Sequence, residues 1–431
     1  MKGEKARVWK KFLVAGAMTA LVARLLSTPP SVHAAGTIKA DDDKWVSIGM
    51  GLRTSFNGQE AAAGTATSPH YSNEFAIDNA RIYVNGKVHK YLGFEFNTEC
   101  FNCAAGKGAG PFNNGATPAG LSQNFGGNSS IGLLDAIGKF EFNEMANLWV
   151  GRMLLPSERG SLNNVFYNAI YASTPTPGFP AANSENFNGV NSLGGGAGLY
   201  GRDNAATFFG KIHPFGTHLL YVLSVSQGLR NGPNTSNSLM YTGRLQWNLL
   251  NDEKNPGYYT MGTYYGTMGD IVAIGVSGQH QKDGAGTAGT VGVSDFTAVT
   301  VDLLVEKLLP NNMGVFTFNG EFKRFFAHYG PRTTPDASCF CVFNGDSWSV
   351  NALYLIPQEI GIGRFQPYMR YTSIDPRYAN LRQEWEAGMN YVISGHNARV
   401  AAFYTYGDIK SLSYAQQQRV DSFHVALQLQ Y

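Results

Sequence analysis

The stretch VDSFHVALQLQY, residues 420–431, alternates between two kinds of side chain. Phe423, Val425, Leu427, Leu429 and Tyr431 are apolar or aromatic, and His424, Ala426, Gln428 and Gln430 between them are polar or small. A period of two marks a strand with one greasy face and one wet face. A soluble sheet seldom leaves such an apolar strand as a free edge, because edges invite aggregation. Pairing the last strand with the first removes both edges and makes a barrel.

The same pattern recurs along the chain. Trp45 to Asn57 reads as the first strand, after a short polar lead and before a loop at 58–73. A hairpin follows: strand 75–84, an Asn85-Gly86-Lys87 turn, and strand 88–99, Asn-Gly being a strong hairpin signal. Glycine-rich residues 100–130 read as a loop. Strands are then expected at 131–142, 146–155, 204–212, 217–227, 238–250, 271–282, 293–307, 314–327, 346–356, 362–373, 382–394, 397–409 and 420–431. In 238–250, Tyr241, Leu245, Trp247 and Leu249 share one face and Arg244, Gln246 and Asn248 the other. Long polar connections (156–203, 283–292, 328–345, 374–381, 410–419) alternate with tight ones, as in a membrane barrel with short periplasmic turns and long external loops. Tyr258 to Asp270 could be a further strand, but that would make the count odd. Residues 251–270 are therefore read as a long periplasmic turn. The expectation is an all-β transmembrane antiparallel barrel of sixteen strands.

Composition agrees with export and a barrel. Of 431 residues only 15% are charged, against about a quarter in soluble proteins, and 13% are aromatic. Residues 1–34 read as a signal peptide: a basic start, an apolar run from Phe12 to Leu26 broken by Arg24, and a small-residue exit at Val32-His33-Ala34. Removing its six basic residues and one acid from the whole-chain 33 and 31 leaves 27 and 30, so the mature chain, residues 35–431, is mildly acidic. The positive whole-chain balance says nothing about nucleic acid.

Extending the alternation sorts the charges. Arg81, Lys139, Arg244, Lys323, Arg364, Arg370, Arg382 and Arg399 fall on the wet face, as do Glu95, Glu99, Asp135, Glu141, Asp302, Glu306, Glu321, Glu384 and Glu386. No helices are available to cover the apolar face. Lipid is the simplest cover, and the wet face then lines a water-filled channel.

These residues resemble the phosphate-selective porin O/P family. The pieces that carry the resemblance are DNARIYVNGKVHKYLGFEFNTE (78–99), DAIGKFEFNEMANLWVGRMLLPSER (135–159), YVLSVSQG (221–228), AIGVSGQHQ (273–281), LYLIPQEIGIGRFQPYMRY (353–371) and GMNYVISGHNARVAAFYTY (388–406). The resemblance implies a sixteen-stranded barrel in the outer membrane of a Gram-negative bacterium, a homotrimer passing small solutes. It also implies that the third external loop, 156–203 here, folds inward as a constriction. In the phosphate-specific members arginines line the wall and lysines mark the narrowest zone. Loop 156–203 carries Arg159 and Arg202 against Glu158, Glu185 and Asp203, and no lysine. The expectation is a general diffusion porin for small hydrophilic solutes and inorganic ions, anions such as phosphate among them. Arg81, Arg159, Arg202, Arg244, Arg370 and Arg399 would set a modest field in the lumen.

The four cysteines form two pairs, Cys100 with Cys103 and Cys339 with Cys341, in predicted external loops. Cys100–Cys103 could close locally. Cys339–Cys341 is too tight to be comfortable, so bridges between the pairs are open as well, with a four-thiolate metal site as the sharper alternative. No haem-attachment, metalloprotease, nucleophile-elbow or phosphate-loop motif is present, so neither catalysis nor a cofactor is expected. The competing reading is a structural barrel sleeve holding a partner, such as a cytochrome, at the membrane.

Overall fold

The computed structural model describes residues 36–60, 63–65, 68–101, 130–171, 201–228, 237–287, 292–327, 345–377, 380–408 and 419–431. The signal segment, Cys103, Cys339, Cys341 and residues 172–200 of the third loop lie outside them. A short strand β1 (Gly36–Asp41) folds back on β2 (Lys44–Gln59). A two-stranded flap, β3 (Ala63–Thr65) with β4 (Ser68–His70), decorates the stretch expected to be plain loop. Then follow β5 (Glu74–His89), β6 (Leu92–Phe101), β7 (Ser130–Asn143), β8 (Ala146–Leu154), β9 (Arg202–Ile212) and β10 (His218–Ser226). After these come β11 (Met240–Asn248), β12 (Ile271–Thr287), β13 (Gly292–Leu308), β14 (Val315–Ala327) and β15 (Gly345–Leu355). The last four are β16 (Arg364–Pro376), β17 (Arg382–Ser394), β18 (Ala398–Gly407) and β19 (Val420–Gln430).

From β5 to β19 each of these strands pairs antiparallel with the next, and β5 also pairs with β2. β19 then pairs back to β2, from Ser422 opposite Gln59 to Gln430 opposite Gly51, and Tyr431 exchanges both backbone hydrogen bonds with Met50 at 2.8 and 3.0 Å. With β1, β3 and β4 set aside, the ring has sixteen strands and no free edge.

The two faces separate as the alternation requires. Leu223, Leu245, Val276, Met369 and Trp385 project from the outer face with about half or more of their surface exposed, and every arc of the ring adds similar residues. Contiguous exposure on this scale is far beyond the few hundred Å² a soluble monomer shows. The inner face carries Arg81, Asp135, Arg244, Asp302, Lys323, Arg370 and Arg399, all buried. No helix of the described residues is long and apolar enough to cross a membrane, which leaves crossing by strands open. Replacing the outward Leu245 with arginine is expected to lower barrel stability by about 2–4 kcal/mol, read from urea unfolding in lipid vesicles. An unchanged midpoint would mean Leu245 does not face lipid.

Two turn assignments change. Asn85-Gly86-Lys87 is not a turn: β5 runs through it, and the chain reverses at Lys90-Tyr91. Gly86 is there for close approach, since a Cβ would sit 2.5 Å from the Phe94 ring and 2.8 Å from the Trp45 carbonyl oxygen. The expected loop 283–292 is mostly strand, because β12 and β13 pair out to Thr287 opposite Gly292.

Candidate functional site: two segments packed across the bore

After β8 the chain leaves the wall and turns inward. The backbone oxygen of Ser157 accepts hydrogen bonds from Arg244 Nη1 (2.8 Å) and Ser277 Oγ (2.9 Å). One helical turn follows, α1 (Arg159–Leu162). The first amides of a helix lack partners within it. Here wall carboxylates accept them: Arg159 N donates to Asp302 Oδ2 at 3.2 Å and Gly160 N to Glu321 Oε2 at 3.3 Å. Glu158, just before the turn, is 2.8 Å from Lys323 Nζ, which also lies 3.4 Å from Glu321. The Arg159 guanidinium grips Glu253 through both oxygens, at 2.9 and 2.7 Å, and donates to the Met261 carbonyl at 3.0 Å. This forked geometry is what suits arginine to carboxylates.

The far end of the segment is tied to the other side of the ring. Asn164 accepts from Arg81. Phe166 lies under the Arg81 guanidinium, 5.1 Å from its ring centroid, and its carbonyl accepts from Gln428 at 2.8 Å. Arg399 donates to the carbonyls of Asn168 (2.8 Å) and Ala169 (3.2 Å), and Asn390 also reaches Ala169. The Tyr171 carbonyl accepts from Arg53, and its hydroxyl donates to Asp78. Residues 155–171 thus bridge β11–β14 to β17–β19, β2 and β5, crossing the lumen.

Residues 251–270 form no strand, as topology required, but they are more than a turn. They fold inward and pack against the crossing segment. Gly262 N donates to Tyr167 O at 2.9 Å, and Thr260 Oγ1 reaches Arg159 O at 3.1 Å and Asn163 Oδ1 at 2.8 Å. Glu306 of β13 pins the stretch, accepting from Thr263 Oγ1 (2.6 Å), Tyr264 N (2.9 Å) and Gly266 N (2.8 Å). Tyr258 stacks at an angle on Trp149 and Phe209, within a buried apolar cluster with Ile137, Leu154 and Val222. His396, in the tight turn after β17, has Nε2 2.8 Å from Thr263 O.

Burial alone would raise the Glu253 carboxyl, but the charge and hydrogen bonds of Arg159 hold it below the ordinary carboxylate range. Burial, helped by the nearby Arg399 charge, pushes His396 down to about 3, so the ring is neutral at neutral pH.

Most charges on the buried face of the ring are paired, and Arg202, expected in the third loop, instead opens β9. Arg81 meets Glu99 at 2.5 Å, Lys139 meets Glu95 at 2.5 Å and Arg202 meets Asp135 at 2.5 Å. Arg244 forks onto Asp302 at 2.6 and 3.0 Å, and Arg370 bridges Glu384 and Glu386. Gly275 makes room for the Arg244 fork, since a Cβ there would lie 2.3 Å from Nη2. Arg382 is buried at the start of β17, and Arg364 is half-buried at the start of β16. Glu253, Arg53 and Asn164 were not singled out in the sequence, because they break no pattern in a loop or on a polar face. Cys100 is disulfide-bonded, to a partner outside the described residues. Between the crossing segment and the β14–β15 wall a small polar cavity of about 30 Å³ is lined by Arg159, Asn168, Glu321 and Asn351, room for roughly two waters.

No protein-family model matches the sequence, and no curated protein matches it. Solved structures match the fold. An anion-selective porin from Comamonas acidovorans is 11% identical, with a TM-score of 0.52 over 90% of this chain and 99% of that one. OmpF of Salmonella typhi, in complex with daunomycin, and the outer membrane channel DcaP of Acinetobacter baumannii are each 11% identical, with TM-scores of 0.50 over 92% of this chain and all of theirs. The fold is that of a porin: a closed sixteen-stranded antiparallel barrel.

Proposed function

We propose that the protein is an outer-membrane porin, exported by residues 1–34 and passing small hydrophilic solutes and ions by diffusion. The observation that carries this reading is the closed ring with an apolar outer face and a charged inner face. Lipid and water are the two media such a surface fits. The third-loop residues 155–171 form the constriction, braced from the short-turn side by residues 251–270. Chemistry at a catalytic centre is not part of the reading. Assembly as a homotrimer and the likeness to phosphate-selective porins belong to it, as does a role for the paired arginines in tuning the field. Because Arg81, Arg202, Arg244 and Arg370 each have a carboxylate within 3.0 Å, their fields fall off as dipoles rather than as charges. Selectivity between small anions and cations should therefore be weak.

The test is a planar bilayer. Purified protein is expected to give discrete conductance steps that scale with salt, and a tenfold salt gradient to give a small reversal potential. Absence of steps, with a haem protein co-purifying in fixed ratio, would favour the sleeve instead. A strong preference for phosphate over chloride would overturn weak selectivity.

A further inference from the structure

Two histidines meet at the short-turn end of the barrel, on the reversal between β9 and β10. His213 Nδ1 and His218 Nδ1 are 2.7 Å apart, with their rings 4.9 Å apart and near perpendicular. The backbone makes this meeting possible. Phe215 adopts a φ of 54° and Gly216 a φ of 77°, folding residues 213–218 into a tight reversal that Thr217 N closes onto Pro214 O at 2.9 Å. The neighbouring β7–β8 turn supplies a carboxylate. Lys211 N donates to Glu144 O at 2.8 Å, which fastens that turn alongside, and Glu144 Oε1 lies 2.9 Å from His213 Nε2.

This is the arrangement of a metal-ligand pair with its supporting carboxylate. Glu144 fixes the His213 proton on Nε2, which leaves the Nδ1 lone pair aimed at His218. His218 then donates the short N–H···N bond; with its proton moved to Nε2 and a modest turn of the two exposed rings, both Nδ1 lone pairs can face one ion. Metal–nitrogen bonds of about 2.0 Å at a right angle hold two ligand nitrogens about 2.8 Å apart, whereas a tetrahedral angle needs about 3.3 Å. The observed separation is closer to the first. Lys211, two residues before His213, is paired: its Nζ is held by both Asp252 oxygens, at 2.8 and 2.7 Å. His213 is 41% exposed and Glu144 60%, so ions and completing waters have access. Among the described residues no cluster of three or more protein ligands could hold a metal. The site therefore takes two protein nitrogens and water.

We propose that His213 and His218, oriented by Glu144, form a binding site for a divalent transition-metal ion that accepts cis nitrogen ligands in tetragonal geometry, Cu²⁺ before Zn²⁺. It lies on the turn surface and is independent of whether the barrel conducts.

Cu²⁺ is titrated into the purified, detergent-held full chain and followed by electron paramagnetic resonance and calorimetry. One tight equivalent per chain is expected, with equatorial coupling to two imidazole nitrogens. H213Q and H218Q should each remove the two-nitrogen signal and weaken the tight equivalent at least 100-fold. E144Q keeps both ligands and should weaken binding about 10–100-fold. Heat-modifiable gel mobility confirms that each variant is still a folded barrel, and E144Q supplies the test if a histidine variant is not. A two-nitrogen signal that survives both histidine changes, affinity unmoved by E144Q, or Zn²⁺ bound more tightly than Cu²⁺ overturns the proposal as stated.

Discussion

Replacing Arg159 with alanine is expected to release the crossing segment and enlarge the open channel. Arg159 is buried and holds Glu253 through both oxygens, with Asp302 close by at 3.7 Å from Nε. Removing it strands Glu253 in a buried site whose other side-chain contacts, the Tyr264 hydroxyl, Asn255 and Gln246, cannot neutralise a charge. Breaking a buried ion pair from one side costs about 3–5 kcal/mol. The cheapest relief is local, with residues 155–171 and 251–270 separating, since the barrel wall is closed independently. The measurement is single-channel conductance together with protease cleavage within 155–171. Both should rise clearly in R159A and in E253A. The double variant R159M/E253L removes both charges and should return towards the parent, because replacing a buried pair by apolar groups is often neutral. If R159A and the double variant conduct alike, charge pairing is not what holds the segment.

Acid is the second strong lever, and its sign follows from two groups in different windows. His396 is neutral in the fold down to about pH 3, while in the unfolded chain it binds a proton near its ordinary value. Between those limits the unfolded state holds more protons, so stability falls as pH falls, by about 1.4 kcal/mol per unit. Glu253 acts lower. Its carboxyl is depressed in the fold, so the stability it contributes is complete above the ordinary glutamate range and is lost only as pH drops through the folded value. Of these two groups, therefore, only His396 acts between pH 6 and pH 4.5. Across that interval the urea midpoint of the parent in vesicles should fall relative to that of H396Q. The glutamine variant preserves a hydrogen bond to Thr263 O, so its stability at pH 7 should change little. Identical pH profiles in the parent and H396Q would mean that the turn holding His396 is open to water.

The barrel was legible in the sequence because lipid and water impose opposite demands on neighbouring residues. Tyr241, Leu245 and Trp247 against Arg244, Gln246 and Asn248 leave one register only, since a slip by one would put arginine in oil. The Asn-Gly pair misled because glycine answers two needs alike, a turn and a close approach, and at Gly86 the Phe94 ring decides. The crossing of the bore was the harder part. Residues 251–270 have no period, because their partners come from many strands rather than from one. Four tyrosines, Tyr258, Tyr259, Tyr264 and Tyr265, were the available clue: so many aromatic rings in a connection argue for a dry environment. Glu253, among Asn251, Asp252, Lys254 and Asn255, looked like any solvated turn residue, and only its approach to Arg159 distinguishes it.

The seam between β2 and β19 has a consequence for how the molecule comes into being. Its two sides come from opposite ends of the sequence, so no local hairpin can make it. The edge of β2 from Gly51 to Gln59 must wait for its partner while every later strand is laid down, and joining such distant partners is a slow step. An unclosed sheet with a lipid-loving back is a template for clumping. An unfinished barrel of this kind stays soluble only while its apolar face is shielded, so the closing of this one seam decides how long the exposure lasts.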